Sequence, residues 1–165
     1  MADSLTPPRS GNLFRRFTEG APNWLSASLA MLGMRCAIAF PFWLSSQTKW
    51  GGWFTLSSGA NAQFADLRLH LLGTEYPFPA PERLALMTAL GEIVFSALLA
   101  LSLFIRYAAL GIVGMTVLIQ LSEPDRWLTY HLPWASMALP IACFGGGKIA
   151  LDYWLGLDRS PKVSL

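Results

Sequence analysis

Charged residues are scarce in this 165-residue chain. They make up 13% of the sequence, whereas about 25% is usual for a soluble domain, and 53% of the residues are hydrophobic. Twelve basic and ten acidic residues leave a net charge of +2, and the basic ones form no run or patch. This composition argues against nucleic acid as a partner and predicts an integral membrane protein surrounded by the lipid bilayer.

Cysteine and histidine are also rare. The two cysteines are Cys36 and Cys143, with no CxxC or CxxCH motif, and the two histidines are His70 and His131. We therefore expect no metal site and no covalently attached cofactor. Residues 1–23 lack the apolar core of a cleaved signal peptide, so the first apolar stretch is expected to remain as a membrane anchor.

Four apolar stretches predict an all-α fold, an integral membrane four-helix bundle over residues 24–152. The last two stretches are shorter than the roughly 20 residues of a usual transmembrane helix. Seven lysines and arginines would lie on the side of the chain termini and four on the other side. The tails at 1–23 and 153–165 are therefore expected in the cytoplasm. The four predicted spans cover residues 24–46, 84–104, 107–121 and 130–144.

The segment between the first two spans does not read as a disordered loop. Its stretch FADLRLHLLG places Phe64, Leu67 and Leu71 on one helical face. This spacing predicts a short amphipathic helix that lies at the outer membrane interface or caps the bundle.

Two ionisable residues fall inside the first two spans. Counted from the start of each span, Arg35 lies about 16.5 Å deep and Glu92 about 13.5 Å deep from the opposite surface. In a hydrocarbon core roughly 30 Å thick these levels coincide. Because a lone charge in the bilayer costs several kcal/mol, we expect Arg35 and Glu92 to form an ion pair.

Other polar side chains lie between mid-membrane and the outer surface. Lys49 ends the first span, Gln120 lies near the outer end of the third, and His131 begins the fourth. Since polar side chains inside a bundle usually face its interior, this pattern predicts a polar cavity that opens outward. Its floor would be Arg35 and Glu92. The candidate ligand-binding residues are Arg35, Glu92, Lys49, His131 and Gln120.

Each of these residues also has a structural interpretation. An Arg35–Glu92 pair can lock two helices together without contacting any ligand. Lys49 can extend its ammonium group to lipid headgroups, and His131 lies among aromatic residues typical of a membrane interface. Both interpretations stay open on the sequence alone.

Four motifs are spread over the membrane part: RCAIAFPFWLSSQTKW, ALGEIVFSALLALSLFIRYAAL, HLPW and FGGGKIALDYWL. In order and spacing they resemble the DoxX family of small four-helix bacterial membrane proteins, from about Arg35 to Asp152. Arg106 and Asp152 match polar positions of the family motifs, whereas Ser102 stands where the family often has glycine.

The resemblance implies a multi-pass protein of the bacterial inner membrane that is linked to redox chemistry. Some DoxX relatives are subunits of a thiosulfate:quinone oxidoreductase, and others associate with superoxide and thiol defence. The leading hypothesis is therefore an accessory subunit whose cavity holds a quinone headgroup, with Arg35 donating to a carbonyl oxygen. No catalytic residue is assigned, and a partner protein would supply the electrons.

Two alternatives stay open. Distant relatives of similar architecture assist the assembly of other membrane proteins, so this chain is alternatively a non-catalytic scaffold or assembly subunit that packs against a larger membrane complex. A transporter is a weaker third option, because four spans without an internal repeat would need a homo-oligomer to form a path.

Overall fold

The computed structural model describes residues 23–158 and is mostly helical. The described residues form six α-helices and two small β-hairpins, one on each side of the second helix. Between the fourth and fifth helices the chain forms a 3₁₀ turn at Pro124–Arg126 and a π turn at Trp127–His131. The elements are α1 Asn23–Thr48, β1 Trp50–Gly52, β2 Thr55–Leu56, α2 Ser58–Asp66, β3 Arg68–Leu71, β4 Thr74–Pro77, α3 Pro81–Leu101, α4 Ile105–Ser122, α5 Leu132–Phe144 and α6 Leu151–Trp154.

Three of these helices are long and apolar enough to cross a membrane. They are Leu25–Thr48, Pro81–Leu101 and Ile105–Ser122, with mean hydropathies of 1.5, 2.1 and 1.5. At 1.5 Å per residue their lengths are about 36, 32 and 27 Å, close to the roughly 30 Å hydrocarbon core. The expectation of a multi-pass membrane protein is confirmed.

The four longer helices pack around a core of small residues. α1 contacts α3 and α5, while α4 contacts both α3 and α5. Many of the buried positions are alanines, which let helix backbones approach closely in a membrane. The core residues include Ala85, Ala89, Ala108, Ala109, Ala138, Ile38, Ile105, Ile112 and Ile141.

The bundle has two distinct ends. We call the "hairpin end" the one where α1 ends at Thr48, α3 begins at Pro81 and α4 ends at Ser122, because the β-hairpins follow α1 there. We call the "termini end" the opposite one, where α3 turns into α4 and α5 leads into α6. The α3–α4 turn is tight, since Ser102 and Phe104 both adopt left-handed backbone conformations.

The predicted amphipathic helix with Phe64, Leu67 and Leu71 on one face is wrong. α2 ends at Asp66, Leu67 is extended, and Leu71 lies on β3. The reason is the Leu72–Gly73 pair, which has φ angles of 52° and 81°. Two consecutive positive φ values form the tight turn that joins hairpin strands, so the chain pairs as β3 and β4 instead of continuing as a helix. The all-α prediction therefore missed both hairpins.

The second predicted span, 84–104, is displaced by three residues at each end. Pro81 occupies the first turn of α3, where the missing N–H of proline costs no hydrogen bond. At the other end the left-handed Ser102 terminates the helix. The predicted tail at 1–23 lies outside the described residues except for its last one, and the tail at 153–165 is described only to residue 158.

Alanine substitutions at Gly111 and Gly114 test the packing between α3 and α4. A Cβ at Gly111 would lie 2.5 Å from the Phe95 ring, whereas a Cβ at Gly114 would meet nothing within 4 Å. Gly111→Ala should therefore destabilise the protein by about 1–3 kcal/mol through overpacking, and Gly114→Ala should not destabilise it. Unfolding by sodium dodecyl sulfate, followed by circular dichroism, measures both. Equal stability of the two variants would contradict the described packing.

Candidate functional site

A buried ion pair joins α1 to α3. The Lys49 Nζ atom lies 2.7 Å from Oε2 and 2.9 Å from Oε1 of Glu92, and it also donates to the Ser45 hydroxyl at 2.7 Å. Ser45 in turn donates to Glu92 Oε1 at 3.1 Å. Both charged residues are buried, with exposed fractions of 6% and 3%. The three ammonium protons and both carboxylate oxygens therefore all have partners.

Local sequence explains this arrangement. Ser45 lies one helical turn before Lys49, which directly follows α1, so the two side chains meet on one face. Glu92 lies near the middle of α3 and has no other cation within salt-bridge distance in the described part of the chain. A lone carboxylate there would cost several kcal/mol, and pairing with Lys49 removes much of that cost.

The expected Arg35–Glu92 pair is wrong. Arg35 Nη1 instead donates to the Ser102 hydroxyl. Ser102 lies ten residues after Glu92, which is about 15 Å further along the axis of α3. The contacts Arg35–Ser102 and Ser45–Glu92 set the same antiparallel register. In that register α1 extends well past α3 at the termini end. The sequence estimate failed because it assumed that both helices begin at the membrane surfaces without such a stagger.

Arg35 belongs to a polar cluster at the termini end. Its side chain is buried, and among the described residues its Nε and Nη2 atoms have no hydrogen-bond partner. The nearby Asp152 carboxylate accepts hydrogen bonds of 2.8 Å from the backbone N–H groups of Phe104 and Ile105, which begin α4. Asp152 thus caps the N-terminus of α4, and these two hydrogen bonds tie α6 to the bundle.

The second family-motif residue, Arg106, lies in the same region. Its Nε atom is 3.1 Å from Asp158 Oδ1, and its Nη1 atom donates to the backbone carbonyl of Cys143 at 3.0 Å. Arg106 and Asp152 therefore connect the α3–α4 turn to the segment that follows α5. Both residues therefore make contacts within the protein at the termini end, far from the Lys49–Glu92 pair.

A cavity of about 250 Å³, which we call the "Lys49 cavity", lies beside the ion pair at the hairpin end. Lys49, Glu92 and the hydroxyl of Thr88 provide polar groups on its wall. The rest is largely apolar: α2 contributes Phe64, and Leu67 directly follows that helix. The other lining residues are Ser45, Gln63, Met115, Leu118, Ile119, Ser122, Glu123, Arg126 and Trp134.

A second cavity of about 260 Å³, the "His131 cavity", adjoins the first. The two share Ile119, Glu123, Arg126 and Trp134 as lining residues, and Tyr130 and His131 complete the second. Arg126 and Glu123 form a salt bridge of 3.0 Å there. The Trp134 ring packs against the ring of His131, with centroids 5.7 Å apart.

The structure thus brings together four of the five predicted ligand-binding residues. Lys49 lies with Glu92 at one cavity, and Gln120 contacts His131 beside the other, with Gln120 Oε1 and His131 Nδ1 2.5 Å apart. Arg35 alone lies at the other end of the bundle. Sequence reasoning missed Ser45, Glu123, Arg126 and Trp134. The one-turn spacing of Ser45 and Lys49, and the three-residue spacing of Glu123 and Arg126, were signals that could have identified three of them.

Between residues 23 and 158, no three side chains of histidine, cysteine, aspartate or glutamate gather as a metal ion would require. The polar groups that the two cavities offer are the Thr88 hydroxyl, the charge of the Lys49 ammonium and the His131 ring, within largely apolar walls. Such a combination is typical of sites that orient an apolar ligand through a few polar groups.

Three apolar helices of spanning length define a multi-pass membrane protein. The family model described as DoxX matches residues 30–123, more than half of the chain, and the protein belongs to the DoxX family. The match ends before the HLPW and FGGGKIALDYWL motifs, so these two lie outside it. No curated protein and no solved structure matches the chain.

The Lys49–Glu92 pair should behave as a buried unit. Lys49→Met or Glu92→Met alone strands a charge and should cost about 3–5 kcal/mol of stability, whereas the double variant should cost less than the sum. Arg126→Gln and Glu123→Gln are matched controls, because that pair is 61% and 38% exposed and should contribute at most about 1 kcal/mol. A double-mutant cycle measures both couplings. Additive effects at Lys49 and Glu92 would show that the two do not interact.

Proposed function

We propose that this DoxX-family protein is an accessory membrane subunit that binds the headgroup of a quinone-like amphiphile at the hairpin end. The observation that carries the proposal is the Lys49–Glu92 pair in the wall of a cavity that is otherwise largely apolar. A quinone headgroup is a flat apolar ring with two carbonyl acceptors, and it suits a cavity of this composition.

The position of the ion pair supports a binding role over a purely structural one. A buried pair seldom adds net stability, because desolvation of both ions offsets their attraction. An apolar contact between α1 and α3 would hold the helices at least as well. Here the pair instead borders open volume, where it is accessible to a ligand.

The donor role that the sequence suggested for Arg35 passes to Thr88 in this proposal. Thr88 lies one turn before Glu92 and lines the Lys49 cavity, and its hydroxyl makes no hydrogen bond to another described residue. Its hydroxyl is therefore available to a carbonyl oxygen without breaking an existing contact. Lys49 adds a positive charge nearby, and Glu92 and Ser45 hold that ammonium group in place.

The proposal includes a fourth membrane crossing. α5 has 13 residues, and with the preceding π turn the helical run from Trp127 to Phe144 is 18 residues, or about 27 Å long. Both termini would then lie on one side of the bacterial inner membrane. The excess of lysine and arginine on that side favours the cytoplasm. A partner protein would supply electrons to the bound quinone.

A specific observation also favours the scaffold alternative. The tips of the two hairpins carry three of the most exposed apolar side chains of the described residues: Trp53 at 93%, Phe54 at 80% and Leu72 at 106%. Phe54 and Leu72 hold left-handed backbone conformations that are unfavourable for such residues. Apolar side chains at these tips would suit contact with a larger membrane complex.

Quinone binding in lipid nanodiscs tests the proposal. A decyl-substituted benzoquinone is titrated against the protein while tryptophan fluorescence is recorded. Thr88→Val should weaken binding about two- to tenfold, because one neutral hydrogen bond to the ligand is lost. Thr116→Val is the matched control, since this buried threonine bonds only to the Ile112 carbonyl of its own helix and lines neither cavity.

Absence of quinone binding by the wild-type protein would contradict the proposal, as would equal affinities of the two threonine variants. If a stoichiometric protein partner copurifies without quinone binding, and Trp53→Ser with Leu72→Ser releases it, the scaffold role stands instead.

A further inference from the structure

The orientation of the Gln120 side chain determines the protonation of His131. Gln120 Nε2 lies 3.3 Å from the backbone carbonyl of Pro124, which can only accept a hydrogen bond. The amide nitrogen must therefore point toward Pro124. The amide oxygen, Gln120 Oε1, then points toward His131 Nδ1, at 2.5 Å.

An amide oxygen cannot donate, so the proton of this contact lies on His131 Nδ1. In a neutral imidazole the other nitrogen, Nε2, then carries a lone pair and acts as an acceptor. His131 is 1% exposed, and its Nε2 atom makes no hydrogen bond to another described residue. A buried acceptor of this kind normally has a donor partner.

The His131 cavity is where such a donor can sit. His131 lines this cavity and Gln120 does not. Because the Nδ1 edge of the ring contacts Gln120, the opposite edge, which carries Nε2, is the one available to the cavity. Two of the other polar side chains there are already engaged. Arg126 and Glu123 pair with each other, and Arg126 also lies over the Tyr130 ring, 5.9 Å from its centroid.

The two adjoining cavities therefore differ in hydrogen-bonding character. The Lys49 cavity offers the Thr88 hydroxyl as a donor beside the positive charge of Lys49, and both suit the carbonyl oxygens of an oxidised quinone. The His131 cavity offers an acceptor next to the Trp134 ring. An aromatic ring with a hydroxyl group satisfies both features of the second cavity, by donation to Nε2 and by ring contact with Trp134.

We propose that the His131 cavity binds the reduced, hydroquinone form of the ligand, with a phenolic O–H donating to His131 Nε2. The inference rests on the proposed function for the quinone-like nature of the ligand, and it adds the redox form and the residue that selects it. His131 is the specificity-determining residue, and Gln120 is a positioning residue that keeps its Nε2 atom unprotonated.

Matched ligands test the role of the hydroxyl groups. A decyl-substituted benzohydroquinone and its di-O-methyl ether share the ring and the tail, but the ether cannot donate. Under anaerobic conditions in nanodiscs, the wild-type protein should bind the hydroquinone about tenfold more tightly than the ether. Equal affinities would overturn the inference.

Matched variants test the assignment to Nε2. The Asn side chain in His131→Asn reaches only as far as Nδ1, so it keeps the bond to Gln120 and removes the acceptor from the cavity. The longer Gln side chain in His131→Gln places a carboxamide oxygen near the Nε2 position. We expect His131→Asn to lose the tenfold preference with an unchanged affinity for the ether, and His131→Gln to keep most of it. Retention of the preference in His131→Asn would overturn the inference.

A variant outside the cavity covers the case in which His131→Asn does not accumulate. Gln120→Met removes the acceptor that holds the proton on Nδ1, and it should lower the hydroxyl preference severalfold, whereas Gln120→Glu retains that acceptor and should preserve it. An unchanged preference in Gln120→Met would contradict the positioning role.

If neither hydroquinone nor quinone binds the wild-type protein, the proposed function itself fails. If the quinone binds and the hydroquinone behaves as its ether does, only the present inference fails.

Discussion

An unpaired carboxylate or ammonium group inside a membrane costs several kcal/mol, so the two groups pair when both are buried. The resulting contact between Glu92 and Lys49 determines how α1 lies against α3. Ser45 completes the contact from one turn earlier on α1. With that register fixed, α1 extends past α3 at the termini end. Residues 145–148 pack against it there: Gly147 lies close to Ser28, and the Ser28 hydroxyl accepts a hydrogen bond from the Lys148 N–H at 3.0 Å. At the hairpin end α3 extends past α1, and α2 packs against it above the Lys49 cavity.

The sequence was sufficient to predict the membrane class, the DoxX family and the need for a charge pair, because composition, motif order and the position of a charge in an apolar stretch are read directly from the chain. Which cation pairs with Glu92 cannot be read in that way. Arg35 and Lys49 both lie on or beside the first helix, and only the stagger between α1 and α3 decides which cation reaches Glu92. That stagger arises from packing over the whole bundle. It placed Arg35 beside Ser102, which holds a left-handed backbone conformation at the end of α3.

The two cavities were predictable only in outline. The sequence indicated a polar interior near the hairpin end and named Lys49, Glu92, Gln120 and His131. It did not indicate that these residues form two separate hydrogen-bonded pairs, since this depends on side-chain orientations, such as the bond from Gln120 to Pro124. The hairpins were missed for a related reason: FADLRLHLLG has helical periodicity, but the positive φ angles at Leu72 and Gly73 redirect the chain into strands. Local turn geometry there prevailed over hydrophobic spacing.

The central claim is that Glu92 pairs with Lys49 and not with Arg35. Solid-state NMR of the protein in lipid bilayers, with ¹⁵N-labelled lysine side chains and ¹³C-labelled glutamate carboxyl groups, measures this contact through dipolar dephasing. The account predicts a strong coupling between a lysine Nζ and a glutamate carboxylate carbon that disappears in Glu92→Gln. A spectrum without that coupling, together with a strong contact between labelled arginine side chains and the Glu92 carboxylate, would contradict it.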